Sequence, residues 1–403
     1  MLYNMRLPVV TLIFYAVVAS SFSPVSRVAH QGADFGVRLF REVLQDHGGK
    51  NLGFSPYGAF SALSILQSGA AGETLAQIRK NLNFGPQKKT VFASLRQLRQ
   101  EIRGSQESGN EPRSVHVADG LFVQRDLRLD PGFLRRFQAT YQRPVTQVNF
   151  TDEIQSRKIL NQWVENHTDG MIPDLLGSNS IPPLTRLILL SAVHFNGKWI
   201  LPFPEKATQK RPFYRSDGSQ VLAEMMQNTG RYNYSEFTSP EGEFYDVIEL
   251  PYEGDELSML IAAPYEKSVP LSAITDILTA ELVSQWKASM RKGIRHLVLP
   301  KFSVVSEVDL KAPLERLGVI DMFKAETADF SRLSTEKPLY ISQAFQKIKV
   351  EVTESGTRAS SATAALFLAR MAPLEVIMDR PFLFIVRHNP TGSILFLGQV
   401  MEP

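Results

Sequence analysis

The chain has 403 residues, of which 43% are hydrophobic and 21% charged, and its formal net charge is +3. A chain of this length and composition can bury a large core, as ordinary globular proteins do. So small a net charge does not indicate a nucleic-acid partner, and any polyanion must be argued from local clusters. The complete lack of cysteine excludes thiol chemistry, thiolate metal sites and disulfide bonds.

The first residues have the pattern of a secretory signal. Arg6 supplies a positive charge, residues 7–18 are almost wholly apolar, and the small residues Ala19, Ser20 and Ser21 follow. The alternative is a membrane anchor, but a span needs about 20 apolar residues and this run is shorter. We therefore predict a signal peptide over 1–21, a single domain over 22–403, a secreted protein and no membrane span.

Helical patterns dominate the first half of the mature chain. Apolar residues at helical spacing predict a helix around residues 35–44, and Pro56 opens a second one over 57–67. Further helices are predicted over 73–82, 90–102 and 154–166. The polar, turn-rich segment 104–113 is predicted to be a surface loop.

Strand patterns take over in the second half. The continuous apolar run 187–195 predicts a strand buried on both faces. Further strands are predicted over 257–263, 295–299 and 348–352. The segments 382–386 and 393–397 flank the turn sequence 389–392 and form a predicted hairpin. Helices early and strands late in one unit indicate an α+β fold.

Three sequons fit an exported protein. Asn149, Asn166 and Asn233 each precede a serine or threonine by two positions, as an N-glycosylation acceptor must. Each is a weak signal alone. We predict all three as glycosylation sites.

An enzymatic function finds no support in the motifs. The chain has no Gly-x-Ser-x-Gly elbow, no His-Glu-x-x-His helix and no phosphate-binding loop of the Walker type. Its seven histidines have no metal-ligand spacing on a helix face. We therefore predict no catalytic residue, no metal and no cofactor, and a hydrolytic enzyme stays only as the weakest alternative.

The most informative segment lies near the C-terminus. From Gly356 to Ala365 every side chain is small except that of Arg358, so little area is available to hold the segment down. No proline occurs over 351–370, which leaves the segment able to form a strand. We predict an exposed loop, and the alternative of a flexible linker is weakened because few residues follow it.

The order of residues in this segment favours a later insertion into a sheet. Side chains alternate between the two faces of a strand. One face holds only small residues, namely Thr357, Ala359, Ser361, Thr363 and Ala365. Arg358 falls on the other face, where an inserted strand would leave its guanidinium in water.

The segment resembles the hinge and reactive-centre loop of inhibitory serpins, and the likeness extends over nearly all of the mature chain. The matching blocks are residues 51–56 (Asn-Leu-Gly-Phe-Ser-Pro), 69–74 (Gly-Ala-Ala-Gly-Glu-Thr), 195–199 (Phe-Asn-Gly-Lys-Trp), 299–302 (Leu-Pro-Lys-Phe), 328–331 (Ala-Asp-Phe-Ser), 379–384 (Asp-Arg-Pro-Phe-Leu-Phe) and 396–400 (Phe-Leu-Gly-Gln-Val). The resemblance implies helices packed around three β-sheets and a reactive-centre loop over about 354–373.

The resemblance also implies an inhibitor that is cut at one bond and then inserts its loop. Residues 369–373 (Ala-Arg-Met-Ala-Pro) resemble those of the serpins that inhibit plasminogen activators, which places the reactive bond between Arg370 and Met371. The implied hinge residues are Glu354, Ser355, Gly356, Thr357 and Ala359. The expected targets are trypsin-like serine proteases, first the plasminogen activators and also thrombin.

Two departures from the family pattern carry predictions. Many serpins have asparagine and histidine where this chain has Ser191 and Gln346, so we expect easy spontaneous insertion of the loop. After the reactive bond, the resemblance leads us to expect two acidic residues at positions 374 and 375. This chain has Glu375 but carries Leu374 at the other position. Contacts to a basic loop on the activators should be weaker as a result.

The resemblance extends to two partner surfaces. The predicted heparin site consists of basic residues in and before the fourth helix: Arg79, Lys80, Lys88, Lys89, Arg96, Arg99 and Arg103. The alternative is a solvated basic face. Vitronectin is a further candidate partner near Arg125, although Leu134, Arg135 and Gln138 depart from the expected apolar pattern. We expect a monomer, and the main alternative to an inhibitor is a non-inhibitory serpin that acts as a carrier or chaperone.

Overall fold

The computed structural model describes residues 23–403 except 86–87, 105–114, 169, 179, 196, 337–338 and 357–372. Three predicted features lie outside the described residues: the signal peptide, the predicted reactive bond between Arg370 and Met371, and the predicted hinge residues Thr357 and Ala359. The side chains of Lys88, Lys89 and Arg103 also lie outside them.

Helices form where the sequence supplies a capping side chain followed by apolar residues at helical spacing. Ser23, Ser55 and Asp130 each accept a hydrogen bond from the backbone three residues on, and a proline follows each of them at the first helical position. The helices in the described part of the chain are α1 (Pro24–Asp46), α2 (Pro56–Leu66), α3 (Gly72–Asn81), α4 (Lys88–Gly104), α5 (Pro131–Tyr141), α6 (Glu153–His167), α7 (Ser272–Thr275), α8 (Ala280–Ser289) and α9 (Lys311–Arg316).

The strands carry the alternating or wholly apolar patterns that a sheet requires. They are β1 (Leu52–Phe54), β2 (Val115–Gln124), β3 (Thr146–Val148), β4 (Leu187–Phe195), β5 (Gln209–Tyr214), β6 (Gln220–Thr238), β7 (Phe244–Pro251), β8 (Leu257–Pro264), β9 (Arg291–Pro300), β10 (Phe302–Asp309), β11 (Ile341–Val352), β12 (Leu374–Ile377), β13 (Phe382–His388) and β14 (Ile394–Val400). Together with the helices they confirm the predicted α+β class.

The strands form two hydrogen-bonded sheets. The smaller has five strands in the order β10-β11-β4-β2-β3. The larger has nine, in the order β1-β14-β13-β8-β7-β6-β9-β12, with β5 also paired to β6. The long strand β6 pairs with β7 through 233–238 and with β9 through 225–234, so it joins two parts of this sheet. The third sheet expected from the sequence is thus continuous with the second.

The core lies between the two sheets, around α2. Every residue of α2 is buried, and the helix packs against β4 and β2 of one sheet and β14 of the other. Gly58 allows this approach, since a Cβ there would collide with the Ser191 hydroxyl of β4. In the ranges that the structure describes, no helix is long and apolar enough to cross a membrane.

Candidate functional site

The five-stranded sheet contains a parallel pair, β4 and β11, near its centre. Ile341 pairs with Leu187 at one end, Gln346 with Ser191 in the middle and Lys349 with His194 at the other end. Both strands therefore finish at the same edge of the sheet. We call this parallel junction, where residues 187–194 of β4 pair with residues 341–349 of β11, the seam. A parallel ladder is slightly less stable per residue than an antiparallel one, so the seam should separate more easily than an antiparallel pair of strands would.

The polar side chains in the middle of the seam bond away from it. Gln346 is fully buried, its Oε1 accepts from Ser55 N at 2.7 Å, and its Nε2 donates to Ser55 O at 3.0 Å. On the other strand, Ser191 Oγ donates to Asp119 Oδ1 at 3.1 Å. These bonds tie β11 to the start of α2 and β4 to β2, rather than one strand of the seam to the other.

The hinge turn, residues 353–356, lies at the edge where both strands end. Gly356 forms antiparallel bridges to Thr353, next to β11, and to Lys198, beyond the end of β4. Trp199 N donates to Ser355 O at 3.0 Å, and Phe203 N donates to Glu354 O at 2.8 Å. The turn is therefore hydrogen-bonded on both sides, between the extensions of the two strands.

Glycine is the one residue type that fits position 356. The φ of Gly356 is 134°, in the region that other residues avoid. A Cβ on Gly356 would also collide with Gly197 O and Lys198 Cα. The sequence requirement for glycine at the hinge thus follows from backbone packing as well as from conformational freedom.

Glu354 anchors the hinge from beside it. Its carboxylate accepts from Thr208 Oγ1 at 2.8 Å and pairs with Lys301 Nζ at 3.2 Å. Burial alone would raise the pKa of Glu354, but a backbone hydrogen bond, Thr208 and Lys301 outweigh it, and the pKa lies below its ordinary value. Burial would lower the pKa of Lys301, but Glu354 raises it above its ordinary value. The anchor is therefore a charged pair at neutral pH.

The residues that follow position 373 belong to the nine-stranded sheet. Strand β12 pairs in parallel with β9, with Leu374 opposite Arg295 and Glu375 opposite His296. Leu374 is 51% exposed, and Glu375 is exposed beside it. The two ends of segment 357–372 are thus attached to different sheets.

Arg99, which the sequence predicted as part of the heparin site, is buried and does not belong to an exposed basic surface. Arg99 is 5% exposed, and its Nη1 donates to Ser61 Oγ at 2.5 Å and to Asp119 Oδ2 at 3.0 Å. Its guanidinium also lies 5.1 Å from the ring centre of Tyr141. A buried carboxylate needs a partner, and Arg99 meets that need by turning inward from α4.

The remaining basic residues divide into two environments. Lys80 and Arg96 are exposed, as a polyanion site requires. Arg79 is partly buried and donates to Gly85 O. The cluster predicted from spacing alone is therefore not one continuous face.

The sequons also differ in their surroundings. Asn149 and Asn166 are exposed. Asn233 lies on β6, is partly buried, and donates from Nδ2 to Glu249 Oε2 at 2.7 Å. Among the residues placed by the structure, no group of three histidine or acidic side chains is arranged to hold a metal.

Comparison with known proteins decides the family. A family profile described as serpin (serine protease inhibitor) matches residues 30–403. This chain belongs to the serpin family. The serpin is 53% identical to plasminogen activator inhibitor 1 of Neovison vison, over 96% of this chain and 95% of the relative. It is 38% identical to glia-derived nexin of Mus musculus, over 96% of both chains.

Solved structures agree with the sequence relatives. The crystal structure of native protease nexin-1 with heparin superposes with a TM-score of 0.86 at 35% identity, covering 94% of this serpin and all of that chain. The predicted serpin fold is confirmed. The matching family is described as serine protease inhibitor and the relatives at 51–53% identity are named plasminogen activator inhibitor 1, so the predicted inhibitor is favoured over a carrier and over an enzyme.

Sequence reasoning missed the residues that hold the hinge in place. Lys301 stood within a recognised block, residues 299–302, but nothing in the spacing paired it with Glu354. Thr208 lies between a short 3-10 helix (Glu205–Ala207) and β5, and its place in the sequence gave no signal of this contact. Only the fold brings these two side chains to the same carboxylate.

Proposed function

We propose that this serpin inhibits trypsin-like serine proteases, first the plasminogen activators, by inserting its loop into the seam between β4 and β11 after cleavage between Arg370 and Met371. One observation carries the proposal. Gly356 is already paired antiparallel on both sides of the seam, to Thr353 and to Lys198. A strand that continued from Gly356 would enter between two parallel strands and run antiparallel to both.

The register of the hinge turn can be extended along β11. If the pairing of Thr353 with Gly356 continues, Thr357 comes opposite Val352 and Leu368 comes opposite Ile341. Segment 357–368 therefore matches the whole of β11 in length. One parallel ladder would be replaced by two antiparallel ones.

The same register sorts the side chains by face. Directly opposed residues of an antiparallel pair point to the same face of a sheet. Val352, Val350 and Ile348 of β11 are buried, so their partners Thr357, Ala359 and Ser361 would point into the core. Arg358 would come opposite Glu351, whose side chain is 42% exposed. This support is independent of the alternation seen in the sequence, since it comes from the strand already in place.

The chemistry begins with the target protease. The acidic specificity pocket of a trypsin-like enzyme would bind the guanidinium of Arg370. The protease serine would then attack the Arg370 carbonyl, with the amine of Met371 as leaving group, to give an acyl-enzyme. Insertion of segment 357–368 would carry the tethered enzyme along the sheet before water can release it.

The energy available is large enough for this work. Insertion exchanges one ladder for two, a net gain of about ten hydrogen bonds at roughly 0.5–1.5 kcal/mol each. That sum is on the order of 10 kcal/mol, which is comparable with the 5–15 kcal/mol that keeps a typical protein folded. Distortion of a protease active site lies within this range.

Several features support an extracellular inhibitor with these targets. Relatives at 51–53% identity are named for inhibition of plasminogen activators, and thrombin remains a second candidate target. We propose that residues 1–21 are removed on secretion and that the mature serpin is a monomer. Glycosylation at Asn149 and Asn166 would meet no obstacle at these exposed sites, whereas Asn233 would have to leave Glu249.

A heparin site without Arg99 is the second part of the proposal. Lys80, Arg96 and Arg103, with Lys88 and Lys89, remain candidates around α4. The related protease nexin-1, whose structure was solved with heparin, supports this choice. We expect Arg96→Glu to elute earlier from a heparin column in a salt gradient, since surface charges act through screened electrostatics. Unchanged elution would remove Arg96 from the site.

Vitronectin is the least supported partner. Arg125 is exposed beside β3, and α5 presents Leu134, Arg135 and Gln138 to solvent. Leu134 is only 37% exposed, so the apolar contact available on this surface is small.

We also expect the uncut loop to insert spontaneously. Because Gln346 and Ser191 bond away from the seam, no side-chain hydrogen bond between these two residues has to break when a strand enters. Inhibitory titre should therefore fall during prolonged warming while the chain stays intact on a gel. A titre that survives warming would contradict this expectation.

The direct test mixes the serpin with urokinase, tissue-type activator, thrombin and trypsin and looks for complexes that survive a denaturing gel. Arg370→Gln should abolish the complexes, because the specificity pocket loses its cation. The matched control is Arg358→Gln, which removes the same charge from the same loop and should leave them intact. Persistence of complexes in Arg370→Gln, or cleavage without complexes in the unmodified serpin, would overturn the proposal.

A further inference from the structure

A basic cavity lies away from the hinge, where α2, α3, α4 and α5 meet the segment before β11. Its volume is about 560 Å³, which is in the range of pockets that hold small organic ligands. Three arginines line it: Arg79 of α3, Arg136 of α5 and Arg332. This cavity has no part in the proposed insertion.

The positive charge in the cavity is only partly compensated. The acidic side chain in the lining is Asp130, whose Oδ1 already accepts from Phe133 N at 2.6 Å as the cap of α5. Arg136 approaches the same oxygen at 3.9 Å. Burial, and then the positive charge of Arg332, lower the pKa of Arg79, so these two guanidiniums repel each other. An anion between them would relieve that repulsion.

A second, independent feature points to a ligand. Gln67 lines the cavity and is 3% exposed, and neither its Nε2 nor its Oε1 has a hydrogen-bond partner in the described part of the chain. Buried polar atoms are nearly always paired, and each one left unpaired is costly. The amide offers a donor group and an acceptor at the base of a positively charged cavity.

Two apolar side chains complete the lining, beside Ser68 and Ser331. Leu75 is buried and Phe92 is partly buried, and both face the cavity from neighbouring helices. A ligand that fits must therefore combine an anionic head for the arginines with an apolar body. A hydroxyl beside the acid group would serve the free oxygen of Gln67.

From these contacts we infer that the cavity bounded by Arg79, Arg136, Arg332 and Gln67 is a binding site for an amphipathic organic acid, best a hydroxy acid with an apolar tail. The guanidiniums bind the acid group, and Leu75 and Phe92 cover the tail. The site differs from a surface that binds heparin, because the amide of Gln67 is buried and two apolar side chains line the same cavity.

Titration calorimetry with 2-hydroxyoctanoate tests the site on the full secreted chain. We expect saturable binding at one site, while octan-1-ol, which lacks the acid, and lactate, which lacks the tail, bind at least tenfold more weakly. Arg332→Gln and Arg79→Gln should each weaken binding about tenfold, because each removes a charge-assisted hydrogen bond to the acid group. The matched control is Arg231→Gln, an exposed arginine on β6 outside the cavity, which should change nothing.

Gln67→Leu separates binding from folding. Leucine has a volume similar to that of glutamine but lacks the unpaired amide. The variant should therefore melt no lower than the unmodified serpin and yet lose affinity for 2-hydroxyoctanoate. Binding that is equal for octan-1-ol, or unchanged in both arginine variants, would overturn the site. A Gln67→Leu variant that melts lower and still binds would do the same.

Discussion

The two sheets of this serpin differ in how their central strands are held. In the nine-stranded sheet, β13 is paired antiparallel with β14 on one side and β8 on the other, and all three strands are almost wholly buried. In the five-stranded sheet, β4 and β11 are parallel, and Gln346 and Ser191 bond away from their junction. The larger sheet is therefore a fixed platform, and the smaller one has a junction where a strand can enter.

The largest expected effect on inhibition comes from a bulky residue on the core-facing side of the inserting loop. Ser361→Arg would drive a guanidinium into the core beneath the inserted strand, so we expect a change from inhibitor to substrate. The number of serpin molecules consumed for each protease inactivated should rise at least tenfold. A rise of about 1.4 kcal/mol in the activation free energy of insertion slows insertion tenfold, so hydrolysis of the acyl-enzyme becomes the faster step. Titration of residual urokinase activity measures this ratio.

The control for that prediction is the neighbouring serine. Ser360→Arg makes the same change one position earlier, on the face that already holds Arg358, and should keep inhibition nearly unchanged. Equal losses in both variants would mean that the extended register is wrong.

The support beneath β4 gives the next effect. Arg99→Ala would leave the Asp119 carboxylate buried without its cation, which should lower the free energy of unfolding by about 3–5 kcal/mol. Arg96→Ala, on the exposed side of the same helix, should change it by less than about 0.5 kcal/mol. Urea unfolding of both variants measures the difference. Similar small losses would mean that the Arg99–Asp119 pair contributes little.

A histidine in the nine-stranded sheet, His388 of β13, should make the stability of the serpin depend on pH. Burial, and then Arg387, lower the pKa of His388 to about 4 from an ordinary 6.5. The unfolded chain therefore binds this proton first, and stability is lost as pH falls from about 6.5 to about 4, by up to about 3 kcal/mol.

His388→Gln isolates that effect. The variant should lose the part of the acid dependence that His388 contributes, up to about 3 kcal/mol of unfolding free energy between pH 6.5 and pH 4. An identical pH profile in both proteins would contradict a neutral, buried His388.

The hinge anchor gives the smallest effect. Glu354→Gln removes a charge paired with Lys301, which should cost about 1 kcal/mol and hasten the spontaneous loss of inhibitory titre. Because the pKa of Glu354 is lowered, its contribution is present above the ordinary value of 4.5 and is lost as pH falls through the lower folded value.

Glu351→Gln is the matched control for the anchor. The Glu351 side chain is 42% exposed and its Oε2 lies 3.7 Å from Lys349 Nζ, so its charge should contribute little to stability or lifetime. A faster loss of titre in this variant than in Glu354→Gln would show that the anchor is not at Glu354.

Much of the fold could be predicted from the sequence because its patterns are local. Strand β4 has the bounds that its apolar run predicted, and Pro56 marks the start of α2. The predicted strand 348–352 was too short, since β11 begins at Ile341, where burial alternates less regularly. Helix α5 was not predicted, although Asp130 and Pro131 form a capping pair.

Features of the site could be predicted only where they depend on one residue or on one short segment. The hinge position of Gly356 followed from the family resemblance, and the small face of the loop followed from the alternation of side chains along a strand. The burial of Arg99 did not, because the helical spacing of three arginines cannot reveal that Asp119 lies beneath one of them. Contacts between distant segments, such as Thr208 with Glu354, depend on the assembled fold.

The melting temperature of the cleaved serpin tests the central claim most directly. After cleavage between Arg370 and Met371, the loop should occupy the seam, and the gain of a second ladder should raise the melting temperature by on the order of 10–20 °C. The Ser361→Arg variant, cleaved at the same bond, should show little of this gain. A cleaved serpin that melts no higher than the intact one would contradict loop insertion and the inhibitory mechanism that depends on it.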